Sequence, residues 1–129
     1  MKSLLIIAAL IVGGLLAFKS ALQDGTIIRY IDTHPNPKVM PVAQYVLGQS
    51  YYLFRRLPEA ATYYQRINDQ YPKSDYADDG YYNYLIVLDD MNTPRPQMVE
   101  LYTSYLEKFP QGKFTEIVTR RLENARNGR

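Results

Sequence analysis

Three prolines close three similar phrases in this chain: His34-Pro35, Tyr71-Pro72 and Phe109-Pro110. They stand 37 and 38 residues apart, and a shift of 38 also lays Pro58 on Pro96 and Tyr64 on Tyr102. Self-similarity at such a period marks an array of small units, each unable to bury its apolar face alone and therefore stacked on its neighbours. Within the period the apolar residues recur at helical spacing. The central unit, residues 41–74, predicts a helix over 42–55, a break at Leu57-Pro58, and a second helix over 58–70. Pro58 suits a helix start, where no backbone donor is needed. Ala60, Ala61, Tyr64, Ile67 and Tyr71 form one apolar stripe on that second helix. The next unit, 75–112, predicts helices over 76–89 and 96–108, joined by a longer turn. A last helix over 114–124, inside a segment 113–126 that is basic on its outer side, would cap the stack.

The central unit carries Leu47-Gly48, Tyr51, Ala60, Tyr64 and Pro72 in order. This resembles the tetratricopeptide repeat, a helix-turn-helix unit, with Gln44 where the family usually has Trp. Gly48 and Ala60 would let the two helices approach closely while Tyr51 and Tyr64 fill the space beside them. Tyr51, Tyr64, Tyr71, Tyr102 and Tyr105 fall at packing positions and are expected in the core. The phrase Tyr71-Pro72-Lys73-Ser74-Asp75-Tyr76-Ala77, and the thirteen-residue step from Pro35 to Gly48, are similar to those of bacterial envelope tetratricopeptide proteins. Those include the Tol–Pal-associated periplasmic coordinator and the lipoprotein subunit of the outer-membrane β-barrel assembly machine. The resemblance implies an all-α fold, a short array of antiparallel helix pairs, and the role of an envelope adaptor that holds other proteins. No lipid-bearing Cys and no coiled-coil segment precede the repeats.

Ahead of the repeats, Lys2 introduces an unbroken apolar run from Leu4 to Phe18, closed by Lys19. It has no polar face, so it is not an amphipathic repeat helix. Residues 1–19 read as a signal-anchor or as a cleaved signal peptide, with Leu15-Leu16-Ala17 a poor cleavage site. The positive-inside rule weakly favours the N-terminus in the cytoplasm and the repeats beyond the membrane. The expected location is the bacterial inner membrane, single-pass with a periplasmic repeat domain; the alternative is release to the periplasm. Residues 20–40 read as a degenerate first repeat, and 20–129 as the repeat domain.

No residue is Cys, so neither disulfides nor thiolate metal sites are available. A net charge of +2 is too small to imply nucleic acid. The charge is nonetheless segregated: seven acids against two bases over 59–90, and five bases against two acids from Lys113 onward. Asp75-Tyr76-Ala77-Asp78-Asp79-Gly80 fails as a calcium loop, because Ala77 and Ile86 stand where oxygen ligands are required. The single His34 lies in a loop without metal-ligand neighbours, and no nucleophile elbow, phosphate loop or paired-His motif is present. No enzyme activity, cofactor, metal or small-molecule substrate is expected.

In tetratricopeptide arrays the first helix of each repeat lines the concave face. The resemblance therefore implies that Tyr45, Gln49 and Tyr52, with Tyr82, Ile86 and Asp89, line a groove for a protein or peptide partner. Helical spacing agrees, since each trio steps by three or four residues. Basic partners would be favoured near Asp78, Asp79, Asp89 and Asp90. Alternatively these aromatics cover a small core, and the chain is a structural subunit that self-associates through its repeat faces.

Overall fold

The computed structural model describes residues 1–128, so Arg129 of the basic C-terminal segment lies outside the described residues. The chain is all-α, with seven helices among the described residues. It divides into two compact units, residues 1–36 and residues 37–129.

In the first unit, α1 (Lys2–Gln23) runs without interruption through the apolar segment. Ser20-Ala21-Leu22-Gln23 contains no helix breaker, so the helix passes the boundary expected after residue 19 and stops only at Asp24. At 22 residues it is about 33 Å long. Its mean hydropathy over 18 residues is 2.3, so by length and composition it can cross a membrane. The stop is local chemistry. Gly25 takes a left-handed φ of 78°, and the Thr26 amide donates to Asp24 Oδ1 at 2.9 Å. These Thr26 hydrogen bonds hold the Asp24 carboxyl below its ordinary range. Helix α2 (Thr26–Thr33) comes next and ends at His34, whose ring stacks on Tyr30 with centroids 4.1 Å apart. Residues 20–36 fall in the same compact unit as the hydrophobic helix, and α2 is the one helix lying wholly within 20–40.

The second unit is a succession of packed helices: α3 (Met40–Leu53), α4 (Leu57–Gln70), α5 (Tyr76–Asp90), α6 (Arg95–Lys108) and α7 (Thr115–Arg126). Each packs on the next, and α3 also reaches α5. Pro41, Pro58 and Pro96 each lie in a first helical turn, where the missing N–H costs nothing. Arg55, with a φ of 59°, turns the chain sharply between α3 and α4, and Asn92, with a φ of 57°, does the same after α5.

Two glycines set the spacing around α4. A Cβ on Gly48 of α3 would lie 2.7 Å from the Tyr64 ring, and one on Gly80 of α5 would lie 3.0 Å from Ile67 Cδ1. Helix α4 is therefore gripped from both sides, and Ala60, Ala61, Tyr63, Tyr64, Ile67 and Asn68 are all buried. That double burial explains Tyr63, which lies off the stripe read from the sequence and stacks on Tyr51 at 5.5 Å. Of the five tyrosines expected in the core, Tyr51, Tyr64, Tyr102 and Tyr105 are buried. Tyr71 is half-buried, because it ends α4 where the chain turns outward to Pro72. A second cluster joins Leu85, Met98, Tyr102, Tyr105, Val118 and Leu122. Burial holds the hydroxyls of Tyr64 and Tyr105 well above the ordinary tyrosine range.

Candidate functional site

The six residues marked by the sequence lie on α3 and α5, which contact each other. Tyr45 and Tyr52 on α3, and Tyr82 and Ile86 on α5, are half-buried; Gln49 and Asp89 are exposed. The two helices meet through residues 38 positions apart in the chain. Asn83 Nδ2 approaches the Tyr45 hydroxyl at 3.4 Å, and the Tyr52 hydroxyl donates to Asp90 Oδ2 at 2.6 Å; each pair is separated by 38 residues. Gln49 Nε2 also donates to the Tyr45 hydroxyl, at 3.2 Å. The hydrogen bond from Tyr52 to Asp90 raises the Tyr52 hydroxyl above its ordinary range.

The rings are held from beneath. Tyr45 leans on Tyr64 and on Tyr76, with centroids 5.8 Å and 5.4 Å away. Tyr82 is stacked flat on Phe114, the residue that precedes α7, at 4.0 Å and an interplanar angle of 5°. Asp89 pairs with Arg121 of α7 at 3.3 Å. The α3–α5 face therefore continues onto α7 through Phe114 and Arg121. Sequence reasoning assigned Asn83, Phe114 and Arg121 no place in the site. Adding the 38-residue period to Tyr45 reaches Asn83, whereas nothing local marks Phe114 and Arg121.

The segregated charges meet inside the unit. Asp79 pairs with Lys113 Nζ at 2.8 Å and raises the lysine above its ordinary range. Asp78 accepts from the Lys113 amide at 2.8 Å and from the Tyr105 hydroxyl, which in turn accepts from the Phe114 amide at 3.2 Å. Close packing by Gly112 completes this corner: a Cβ there would lie 2.6 Å from the Tyr105 hydroxyl. Asp78, Asp79 and Asp89, marked by the sequence as attractive to basic partners, are thus engaged by the chain's own C-terminal segment, and Asp90 by Tyr52. The first three hold α7 and its approach loop against α5, and Asp90 ties α5 to α3.

Chemistry of another kind is exposed at α3 and its N-cap. Val39, Val42, Val46 and Leu53 recur at three-, four- and seven-residue steps and face solvent. Among the described residues no group of three or more His, Cys, Asp or Glu side chains could hold a metal ion. No protein-family model matches this chain, and no curated protein matches it.

Proposed function

We propose that this chain is a membrane-tethered, tetratricopeptide-like binding module of a bacterial envelope complex, holding a polypeptide partner on the α3–α5 face. The observation that carries the reading is the alignment of Tyr45 with Asn83 and of Tyr52 with Asp90, which makes one continuous surface from two repeats. Such a surface offers rigid aromatic edges, the exposed amide of Gln49 and the apolar side of Ile86. Aromatic and amide groups fixed by neighbours bind an extended chain with little ordering cost. The hydrophobic α1 supplies the tether, and the flanking Lys2 supports an orientation with the repeats outside the cytoplasm.

Pulldown of the full chain from detergent-solubilised membranes after chemical crosslinking tests the binding role. A partner whose capture is lost in Ile86→Glu and retained in Thr62→Glu supports it; crosslinks between copies of the chain alone contradict it. A C-terminal alkaline phosphatase fusion tests the topology, since an inactive fusion places the repeats in the cytoplasm. N-terminal sequencing of the purified protein tests attachment, and a mature chain beginning at Phe18 would show that the tether is removed.

A second reading has its own observation. The exposed stripe Val39, Val42, Val46 and Leu53 is the kind of helix face that a neighbouring helix covers in a stack. It favours a subunit that self-associates, and Val46→Glu would then dissolve the oligomer while leaving the helices folded.

A further inference from the structure

Beyond the α3–α5 face, a cavity of about 630 Å³ opens where the α5–α6 turn meets α6 and α7. Small-ligand sites typically occupy roughly 300–1,000 Å³. Of the six residues marked on the α3–α5 face only Asp89 lines it; Tyr45, Gln49, Tyr52, Tyr82 and Ile86 do not, so the cavity adjoins that face at Asp89 and is otherwise separate from it.

The lining is rich in donors. Arg95 comes from the start of α6, Arg121 and Asn124 from α7, and Asn92 and Thr93 from the turn. One carboxylate, Asp89, also lines the cavity, and it is already paired with Arg121 at 3.3 Å. Tyr102, which also lines the cavity, is a hydrogen-bond partner of the Arg121 side chain. The Arg95 guanidinium has no ion pair or side-chain hydrogen bond among the described residues. Two guanidinium groups against one carboxylate leave the cavity with one positive charge that these lining groups do not neutralise. Met98 and Ala125 add apolar surface. The rim is fixed by the backbone: the Asn92 amide donates to Asp89 O at 2.9 Å and the Thr93 amide to Leu88 O at 3.1 Å.

We infer that this cavity is a binding site for a small anionic ligand, its carboxylate or phosphate taken by Arg95 beside Arg121, its apolar part lying against Met98. A planar guanidinium offers paired donors that match two oxygens of either group. Asn92, Thr93 and Asn124 supply neutral donors around them. The pairing with Asp89 leaves Arg121 partly neutralised, so Arg95 carries the larger share of the attraction.

Met98 reports on the site directly. The full chain in detergent micelles, labelled with 13C at its methionine methyl groups, is titrated with inorganic phosphate and separately with glutarate at constant ionic strength. The Met98 signal is assigned by Met98→Leu. The inference predicts a saturable shift at Met98 with at least one of the two anions, without a matching shift at buried Met40. In Arg95→Gln the affinity falls by about tenfold or more, the loss expected for a charge-assisted contact. Saturation by phosphate alone identifies a phosphate site, and by glutarate alone a carboxylate site. A shift that grows linearly with both anions, or saturation unchanged in Arg95→Gln, overturns the inference. Arg95 is exposed, so the Arg95→Gln fold should be intact, and an unchanged Met40 signal verifies this.

Discussion

Replacing Gly48 with Ala puts a methyl group where the Tyr64 ring already is. The added Cβ would sit 2.7 Å from both Cδ1 and Cε1 and 3.0 Å from Cζ, whereas carbon atoms pack best at about 3.5–4.0 Å. The ring has little room to retreat. It is buried, Tyr45 leans on it at 5.8 Å, and the backbone behind it is pressed by Gly80, whose own Cβ would lie 3.3 Å from Tyr64 O. Overpacking of this kind costs about 1–3 kcal/mol. Against it stands the helix preference for Ala over Gly, about 0.5–1 kcal/mol. The net is a loss of up to about 2.5 kcal/mol. For a unit of this size each kcal/mol lowers the Tm by about 4–8 °C. Circular dichroism melting of the full chain in detergent reads the shift. A second background isolates the cause. In Tyr64→Leu the ring is gone, and there Gly48→Ala should be neutral or stabilising, giving a coupling of about 1 kcal/mol or more between the two sites. A Tm that rises on Gly48→Ala in the native background would refute the reasoning. Gly48→Leu adds a still larger side chain to the same clash and should prevent the α3–α4 pair from forming.

Two further outcomes rest on the buried polar groups. Gln44 is 2% exposed; its Nε2 donates to Gln70 Oε1 at 2.7 Å while its own Oε1 has no hydrogen-bond partner. An unsatisfied buried acceptor costs about 1–3 kcal/mol, so Gln44→Met should raise the Tm, and a lowered Tm would show the amide to be net stabilising. Alkaline pH should unfold the packed helices: burial raises the hydroxyls of Tyr51, Tyr64, Tyr81, Tyr84, Tyr102 and Tyr105. The unfolded chain ionises near pH 10 while these folded groups keep their protons, so the stability they contribute is intact below about pH 10 and is lost above it, at up to about 1.4 kcal/mol per pH unit for each tyrosine. Tyrosinate absorbance at about 295 nm and helicity should change together; complete tyrosine titration with helicity retained would contradict this.

Much of the helical order was legible because proline and glycine act locally. Pro58 and Pro96 stand where helices start, so α4 and α6 begin within one residue of the positions read from the sequence. A close helix approach at Gly48, with Tyr64 filling space nearby, was expected from the repeat-like motif and from residue size; that the Tyr64 ring itself lies against Gly48 is seen only in the fold. The boundary near residue 20 was not, because Lys19 changes the polarity of the segment without weakening its helix propensity, and the actual break depends on the left-handed Gly25. The site was legible as two trios on two helices. Its third helix was not: Tyr82 on Phe114, and Asp89 on Arg121, are pairs 32 residues apart, a spacing that matches no repeat. Nor could the sequence show that the acidic stretch and the basic tail neutralise each other through Lys113 and Arg121.

The binding face is tested most directly by placing a photoreactive amino acid at single positions of the full chain in living cells. Gln49 is exposed on the α3–α5 face, and Thr62 and Glu107 are exposed on α4 and α6. The account predicts a discrete adduct with another protein from Gln49 that is lost on Ile86→Glu, with no such adduct from Thr62 or Glu107. Adducts with the same protein from all three positions, or from Gln49 with other copies of this chain alone, would contradict it.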